Sequence, residues 1–380
     1  MSRKILHLCS DNPFIEHSSG VFDVFYPNQN LYCVFPKSSN KDKISHIKNA
    51  IWLDRNSLNL LMLKRLCEDE HVDIIIMHGL HPSFVTILNY INPNKKHHVF
   101  WLFYGFELYY ALGEKTDYPL MDSKSVFSIR SWISPTKYNY WLRRLTGKTI
   151  YFDLIQESLP LINYFCFWLY EDYLLLKKYF DTNMQYRHFQ YGARFKNDQI
   201  DISQLNYNKT PYEIRIGHSA SKTENQDTII KLLSKIDKDN KYKKVFPLSY
   251  GSVYMRNQVM KMGRKYFGNQ FEPILTHVER NQYYESLSKT GVAIFGQNRQ
   301  EAAGNIGPLL NYGAKVFLRE NNVMLKYYKD KGYIIFSVEK DLKSVNDLQP
   351  LTPQQMEHNA EIGKNTRVFY EDFMPHLLDD

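Results

Sequence analysis

One stretch of the sequence, residues 291–321, combines small residues with a cation in a way that suits phosphate chemistry. The apolar run at 292–295 predicts a buried strand, and residues 297–306 form a polar loop that leads into a helix at 308–312. Small residues before a helix leave backbone N–H groups free beside the positive end of the helix dipole, where a phosphate or diphosphate binds. An ordinary loop of an α/β domain is the alternative. The residues that we expect to contact a diphosphate here are Arg299, Ala303, Gly304, Asn305, Ile306 and Gly307.

A second loop of this kind lies at residues 217–221, GHSAS, between a predicted strand and a predicted helix. Ser219 and Ser221 bring hydroxyl groups to the free N–H groups, and His218 could neutralise a leaving phosphate. A plain helix cap is the alternative for this loop taken alone. Two anion-binding loops at the strand ends of one domain together predict a nucleotide diphosphate site, although the chain has no Walker motif.

Carboxylates at other strand ends are candidates for proton transfer. Glu107 is the only carboxylate in the aromatic run 101–110, WLFYGFELYY, and its apolar neighbours would make it a stronger general base toward a hydroxyl. Asp11, after the first predicted strand, is the rival base, in what we expect to be an open polar turn. His78, beside Gly79, could bind a sugar hydroxyl or a phosphate. The alternatives are a capping glutamate, a turn-forming aspartate and a structural histidine.

Neither metal nor redox chemistry is indicated. Residues 237–239, DKD, resemble a DxD metal motif but stand in a polar run among lysines, so we interpret them as solvated and predict neither a metal nor another cofactor. The cysteines are widely spaced and form no CxxC pair, which is typical of a reduced, cytoplasmic protein. They are Cys9, Cys33, Cys67 and Cys166.

The net positive charge of the chain indicates which classes of partner it could bind. The 380-residue chain has a formal net charge of +8 and a pI of about 9.0, which suits an anionic ligand, an anionic membrane or nucleic acid. The sequence has no zinc spacing, no RNP-like aromatic motif and no basic recognition helix. We therefore expect no nucleic acid partner.

One predicted helix has the composition of a membrane contact. Residues 137–145, KYNYWLRRL, mix aromatic and basic side chains, which suits an anionic lipid surface. A helix that packs on its own domain is the alternative. The N-terminus does not have the pattern of a signal peptide, and the most apolar segment, residues 159–170, is too short to span a bilayer. We predict a cytoplasmic protein, peripheral at the inner face of the cell membrane.

The elements that would position these residues alternate between strand and helix. Apolar runs predict strands at 4–9, 72–77, 98–103, 164–169 and 186–189, and helices at 59–69 and 82–90 lie between them. Residues 193–211 are polar and Asn-rich and predict a linker, after which the alternation restarts at 213–217. We predict an α/β fold of two doubly wound, Rossmann-like domains, 1–195 and 212–350, that face each other across a cleft. A helical tail, 351–380, is expected to cross back to the first domain.

Taken together, the motifs resemble those of the GT-B glycosyltransferases and, more narrowly, of glycosyltransferase family 56. The family block has Asp where this chain has Glu107, and Asn where it has His218. The residues that carry the resemblance are, in chain order, Ser10, Asp11, His78, Gly79, Trp101, Tyr104, Gly105, Glu107, Leu108, Tyr109, Gly217, His218, Ser219, Pro247, Tyr250, Arg299, Gln300, Gly304, Gly307, Arg319, Glu320 and Asn321.

The resemblance implies a metal-independent transferase. Enzymes of that family move 4-acetamido-4,6-dideoxygalactose from a dTDP-sugar to a polyprenyl-diphosphate-linked glycan. The second domain would bind the nucleotide-sugar, with Tyr250 among its donor-binding residues, and the first would bind the acceptor. Many retaining GT-B enzymes hold the donor ribose with a second Glu eight residues after a first. Glu301 fits the first position but Leu309 occupies the second, so Glu320 is expected to take that role.

We therefore expect a glycosyltransferase that moves a deoxyamino sugar from a dTDP-sugar to a lipid-linked or other cell-surface glycan. The alternatives are a GT-B transferase that uses a UDP- or GDP-sugar, and a glycan-binding protein that kept the fold and lost turnover.

Overall fold

The computed structural model describes residues 4–36, 46, 47, 49–54, 59–122, 135–197 and 205–379, with the backbone alone for residues 13 and 135–139. The chain divides into two compact units. Unit 1 comprises Met1–Lys115, Tyr140–Asp198 and Val368–Asp380, and unit 2 comprises Thr116–Asn139 and Gln199–Arg367. Among the described residues, no helix is both long and apolar enough to cross a lipid bilayer.

Unit 1 is built on a parallel sheet of seven strands, in the order β3-β2-β1-β4-β5-β6-β7. The strands are β1 Lys4–Ser10, β2 Asn30–Phe35, β3 Ile51–Trp52, β4 Val72–His78, β5 His98–Leu102, β6 Tyr164–Phe167 and β7 Gln185–His188. The helices are α1 Pro13–Phe25, α2 Leu60–Asp69, α3 Pro82–Ile91, α4 Phe106–Lys115, α6 Tyr151–Ser158, α7 Tyr170–Tyr179 and α15 Tyr370–Phe373. Helix α5 Pro135–Leu145 has residues 135–139 in unit 2 and residues 140–145 in unit 1.

Unit 2 is built on a parallel sheet of six strands, in the order β10-β9-β8-β11-β12-β13. The strands are β8 Glu213–Ile216, β9 Lys243–Pro247, β10 Phe271–Ile274, β11 Val292–Ile294, β12 Lys315–Leu318 and β13 Phe336–Ser337. The helices are α8 Gln226–Ile236, α9 Val253–Phe267, α10 Arg280–Lys289, α11 Ala303–Asn311, α12 Val323–Asp330, α13 Val338–Asp341 and α14 Pro353–Asn365.

Continuous apolar runs form the central strands because both faces of a parallel sheet are covered. The predicted strands at 4–9, 72–77 and 98–103 are present, with their last residues shifted by one. The predicted α/β class, with two parallel doubly wound sheets, is confirmed. Strands β2, β3, β10 and β13 were not predicted; β3 and β13 are two-residue edge strands with too few residues to show a pattern.

One predicted boundary is wrong. Helix α11 begins at Ala303 rather than at residue 308, so Gly304 and Gly307 belong to the helix and not to the loop before it. Pro308 in the interior and two glycines weaken the helical signal. Ala302, the residue immediately before the helix, has a left-handed backbone with φ +64°.

The division of the chain differs from the predicted domains in two places. Residues 116–122 precede the last strands of unit 1 in sequence, yet they pack in unit 2. The Tyr118 hydroxyl donates to the Asn298 carbonyl at 2.7 Å, and the Asn298 side-chain amide donates to the Pro119 carbonyl at 2.8 Å. In the tail, α14 belongs to unit 2, and Val368–Asp380 belongs to unit 1.

Candidate functional site

The two predicted anion-binding loops of unit 2 lie side by side because the strands before them are neighbours. Strands β8 and β11 pair in parallel with Ile216 opposite Ile294, so the loops that follow leave the sheet at the same edge. Gly217 then adopts φ +66°, and a Cβ there would lie 2.5 Å from a Glu224 carboxylate oxygen. A side chain at this position would be strained and would collide with that carboxylate, so glycine lets Glu224 fold back under the loop.

Glu224 and His218 form a buried pair at the centre of the site. The Glu224 side chain is fully buried, and its Oε1 contacts His218 Nδ1. The same oxygen accepts the His218 backbone N–H at 3.2 Å and the Ser219 hydroxyl at 3.2 Å. The sequence singled out His218 and Ser219 but not Glu224, because a contact made through a turn leaves no periodic signal.

Glu301 joins the two loops. Its Oε1 accepts from Arg299 Nη2 at 2.9 Å and lies 3.7 Å from His218 Nε2. Its Oε2 accepts the Thr223 hydroxyl at 3.0 Å. The structure thus brings the predicted Arg299 and His218 to one carboxylate.

Two opposing influences set the charge of His218. Burial lowers the pKa of His218, and the carboxylates of Glu224 and Glu301 raise it, with a smaller opposing effect from Arg299. The net result is a pKa above the ordinary histidine value. The carboxylates therefore favour an imidazolium.

The start of α11 supplies the backbone groups of the site. Ala302 provides no side-chain cap, so the first turn keeps N–H groups without an intrahelical partner. Of the predicted contacts, Asn305 and Ile306 already donate their N–H groups to the Ala302 carbonyl at 2.8 and 2.9 Å. Gly304 is exposed, with open space around it. The N–H groups of Asn305 and Ile306 are therefore engaged within α11, and the assignment of residues 303–306 to a diphosphate site stays a prediction.

The other predicted donor-binding residues have different positions. The Ser221 and Thr223 hydroxyls lie 2.9 Å apart at the start of the 3₁₀ helix Lys222–Glu224. Tyr250 is 56% exposed, with its ring centroid 5.9 Å from that of His218. Gly307 lies inside α11, and Glu320, after β12, pairs with Lys340 at 2.6 Å. The hydrogen bond to Lys340 lowers the pKa of Glu320.

Asparagines that the sequence did not indicate hold the loop after β11 in place. The Asn225 amide donates to the Gly296 carbonyl at 3.0 Å, and the Asn322 amide donates to the carbonyls of Gln297 and Arg299 at 3.1 and 2.9 Å. These bonds anchor the backbone on both sides of the position that carries Arg299.

An ion pair anchors residues 116–122 beside this loop. Arg319 donates through Nη1 and Nη2 to the two Asp122 carboxylate oxygens at 2.8 and 2.6 Å, and through Nε to Glu339 at 2.5 Å. The Asp122 N–H donates to the Asn225 side chain at 3.0 Å. Residues 116–122 and the loop that carries Arg299 are therefore one hydrogen-bonded assembly within unit 2.

Three side chains of the site are of metal-ligand type. Ligand atoms of His218, Glu224 and Glu301 lie within 4.8 Å of one another. Arg299 already occupies Glu301 at 2.9 Å, and a fixed cation at that distance opposes a divalent ion. The expectation of no metal stays a prediction.

The predicted solvated DxD segment is not solvated at its first residue, and that interpretation is wrong. Asp237 is 3% exposed and accepts from Lys244 Nζ at 2.5 Å, while Lys244 is itself fully buried. Asp237 also accepts the N–H groups of Lys241 and Tyr242 at 2.9 and 3.0 Å. Asp237 therefore forms a buried ion pair that fixes the turn between α8 and β9.

The three predicted catalytic residues of unit 1 are all buried. Glu107 is fully buried in the first turn of α4 and accepts the Leu80 N–H at 3.2 Å. Asp11 is 1% exposed, so the turn that holds it is not open as expected. Its N–H donates to the Phe35 carbonyl at 2.8 Å.

His78 belongs to a hydrogen-bonded chain inside unit 1. The Asn30 amide donates to Asp23 and to the Tyr26 carbonyl, so its oxygen accepts from His7 Nε2 at 3.0 Å. His7 Nδ1 must then accept from His78 Nε2 at 3.0 Å, and His78 Nδ1 accepts the Tyr191 hydroxyl at 3.1 Å.

Both ring nitrogens of His78 are therefore engaged. Burial lowers the pKa of His7 to about 3, and burial followed by the neighbouring His7 lowers that of His78. This placement makes His78 a neutral structural residue and argues against its use as a base.

Comparison with known proteins relates the chain to others through its fold. No protein-family model matches the sequence, and no curated protein sequence matches it. Sucrose-phosphate synthase from Thermosynechococcus elongatus superposes with a TM-score of 0.64 at 9% identity, over 98% of this chain and 96% of that one.

Two further similar structures are glycosyltransferase WaaG, involved in lipopolysaccharide biosynthesis, and Anabaena HepE in complex with UDP and glucose. WaaG has a TM-score of 0.56 at 11% identity, over 99% of this chain and 100% of that one. HepE has a TM-score of 0.52 at 9% identity, over 98% and 91%. Together with the two parallel sheets, these similarities show that the chain has the GT-B fold of glycosyltransferases.

Proposed function

We propose that the protein is a glycosyltransferase that takes its sugar from a nucleotide-sugar bound by unit 2 and transfers it to a glycan. The observation that carries this proposal is the meeting of Arg299 and His218 at one edge of the unit 2 sheet. The uncapped start of α11 follows directly on the loop that carries Arg299. Two cationic side chains and a helix N-terminus are the groups that bind a diphosphate without a metal.

For the donor, we propose a dTDP-linked deoxyamino sugar of the 4-acetamido-4,6-dideoxyhexose type, on the strength of the motif resemblance. The second candidate is a UDP-sugar, which the presence of UDP and glucose in the similar HepE structure favours. A GDP-sugar is a further alternative for the donor. A glycan-binding protein without turnover is the alternative to an enzyme, and such a protein would have the same fold but would not need a diphosphate site.

A nucleotide screen tests the donor site. A ligand at 100 times its Kd adds about 2.7 kcal/mol to the free energy of unfolding, so we expect dTDP or UDP to raise the melting temperature at millimolar concentration. Inorganic pyrophosphate and thymidine are the controls for each half of the ligand. If dTDP, UDP and GDP all leave the melting temperature unchanged, the assignment of unit 2 as a nucleotide-sugar domain fails.

The proposed acceptor is a polyprenyl-diphosphate-linked or other cell-surface glycan, bound by unit 1. WaaG, which has a similar fold, is a glycosyltransferase involved in lipopolysaccharide biosynthesis, and this similarity favours an envelope glycan as the acceptor class. For the base, Glu107 and Asp11 stay as proposals, since His78 has both nitrogens engaged.

We also propose that the protein is cytoplasmic and contacts the inner face of the membrane through α5. Trp141, Leu142 and Leu145 are 60%, 46% and 83% exposed, and Arg144 is exposed on the same helix. Residues 137–139 of the predicted segment lie outside the described side chains. Exposed apolar side chains next to a cation suit the boundary between lipid headgroups and acyl chains.

The structure separates the two arginines of α5. Arg143 donates to the Thr149 carbonyl at 2.7 Å and lies over the Tyr151 ring, so it packs on its own unit. Arg144 and the nearby Lys148 are exposed. A test of membrane binding must therefore leave Arg143 in place.

Reversal of Arg144 and Lys148 to glutamate is expected to release the protein from anionic vesicles at low salt. Each basic residue near an anionic surface contributes about 1 kcal/mol, so the double reversal should lower vesicle affinity about 30-fold or more in a co-sedimentation assay. Lys177→Glu with Lys178→Glu, two exposed lysines on α7, is the matched control for net charge. If both double variants bind the vesicles equally well, α5 does not contact the membrane and only packs on its own domain.

A further inference from the structure

A phosphate-binding loop does not need a buried carboxylate beside its histidine, yet Glu224 lies against His218 here. Glu224 Oε1 forms an ion-pair contact with His218 Nδ1, and it accepts hydrogen bonds from the His218 backbone N–H and the Ser219 hydroxyl. Glu224 is fully buried, and His218 and Ser219 are buried beside it. A carboxylate in contact with Nδ1 restricts the orientation of the ring and leaves Nε2 as the nitrogen that faces away from it.

We propose that Glu224 and His218 form a carboxylate–histidine pair that keeps His218 protonated and presents its Nε2–H to the diphosphate of the nucleotide-sugar. The proposal rests on the proposed function and assigns a role within that same site. His218 is the group that would touch the substrate, and Glu224 is a positioning residue that acts through it.

The geometry favours a proton on both ring nitrogens. Nδ1 contacts the Glu224 carboxylate, and the Glu301 carboxylate lies 3.7 Å from Nε2. The charged groups that face the ring are Glu224 from the 3₁₀ helix and Glu301 and Arg299 from the loop after β11, and the titratable Tyr250 lies beside it in the loop after β9. Two carboxylates against one guanidinium leave the histidine as the second cation of a balanced cluster.

The Nε2 atom of His218 can accept a new partner because its nearest carboxylate is not hydrogen-bonded to it. Its separation of 3.7 Å from Glu301 exceeds hydrogen-bond distance, and Arg299 and Thr223 already engage that carboxylate. A phosphate oxygen that approaches Nε2 would therefore gain a charge-assisted hydrogen bond without breaking one.

The chemical step balances without any further reagent. The bond between the anomeric carbon and the β-phosphate oxygen breaks, and its electron pair stays on that oxygen. The Nε2–H of His218 hydrogen-bonds to this oxygen and can transfer its proton to it. The acceptor hydroxyl oxygen bonds to the anomeric carbon and releases its proton to a base or to water. Stabilisation of the leaving oxygen by a fixed cation is the role that metals serve in other transferases.

Two variants separate the parts of this pair. Glu224→Gln keeps the shape of the side chain and removes its charge, whereas His218→Asn removes the titrating ring. We expect the affinity of the wild-type protein for dTDP or UDP, measured by calorimetry, to fall about tenfold or more as pH rises through the His218 pKa, because the cation is present below that pKa and lost above it. His218→Asn should bind more weakly and show no such step, and it corrects for ionisation of the phosphate itself.

Glu224→Gln should move the same step to lower pH, and an NMR titration of the His218 ring should show the matching shift. With substrate, loss of the pair should lower kcat more than it raises KM for the donor. If the affinity for dTDP or UDP varies with pH in the same way in the wild type and in His218→Asn, the proposal is overturned and the proposed function stays intact. Lack of binding by any nucleoside diphosphate at any pH would instead overturn the proposed function. If Glu224→Gln does not fold, the NMR titration of the wild-type protein still tests the pair, because a His218 pKa at or below the ordinary histidine value would overturn it.

Discussion

Replacement of Arg299 by alanine is expected to weaken the binding of a nucleoside diphosphate by about 10- to 150-fold. The guanidinium lies 2.9 Å from Glu301 at the loop that leads into α11, where the diphosphate is proposed to bind. A hydrogen bond to a charged group contributes about 1.5–3 kcal/mol. Titration calorimetry with dTDP and UDP measures this loss directly.

The conservative variant and a distant arginine control the experiment. Arg299→Lys keeps the charge but not the fork of donors, so its affinity should lie between wild type and Arg299→Ala. Arg264→Ala, on the exposed surface of α9, removes one positive charge from unit 2 without touching the site. An Arg299→Ala protein that binds as tightly as Arg264→Ala would remove the loop after β11 from the donor site.

Replacement of Glu107 by glutamine is expected to lower kcat by about 100-fold while donor affinity stays near that of the wild type. A general base typically contributes a factor of about 10² to 10⁴. Because the Glu107 carboxylate is fully buried and accepts the Leu80 N–H, a glutamine oxygen can keep that bond and the local fold. A change in turnover without a change in melting temperature would therefore report on proton transfer rather than on packing.

Asp11→Asn is the matched variant at the end of β1, since Asp11 is buried to a similar degree. A 100-fold loss there, with normal turnover in Glu107→Gln, would transfer the role of base to Asp11. Normal turnover in both variants would show that neither carboxylate takes the proton, as expected of a retaining transferase without a protein base.

The sheets could be predicted because their strands carry a one-dimensional pattern. Residues 72–77, VDIIIM, are apolar almost throughout, and the parallel strand β4 lies there. The start of α11 could not be predicted in the same way, because it depends on the left-handed backbone of Ala302, an alanine that carries no sign of that conformation. Pro308 inside α11 also lowers the helical propensity of the segment, which weakens the sequence pattern that would predict a helix there.

The site residues that could be predicted from the sequence are those whose side-chain type alone indicates a role, such as cations that bind phosphate. Arg299 and His218 were identified as cations near small residues, and the structure brings both to Glu301. Glu224 and Asp122 were missed because their partners lie across turns or far along the chain: Asp122 and its partner Arg319 are separated by 197 positions in the sequence. The burial of Asp11 and Glu107 was also missed, since burial of a polar residue depends on neighbouring strands and not on its own segment.

The placement of residues 116–122 in unit 2 has a consequence for protein engineering. A gene fragment that starts at residue 199 would encode all six strands of the sheet but would omit Asp122, and the Arg319 guanidinium would lose two of its hydrogen bonds. A chimera that exchanges C-terminal halves between proteins of this fold at that point would carry the same defect. Unit 2 is discontinuous in sequence, and a transplanted form that keeps the pair of Arg319 and Asp122 must include residues 116–122.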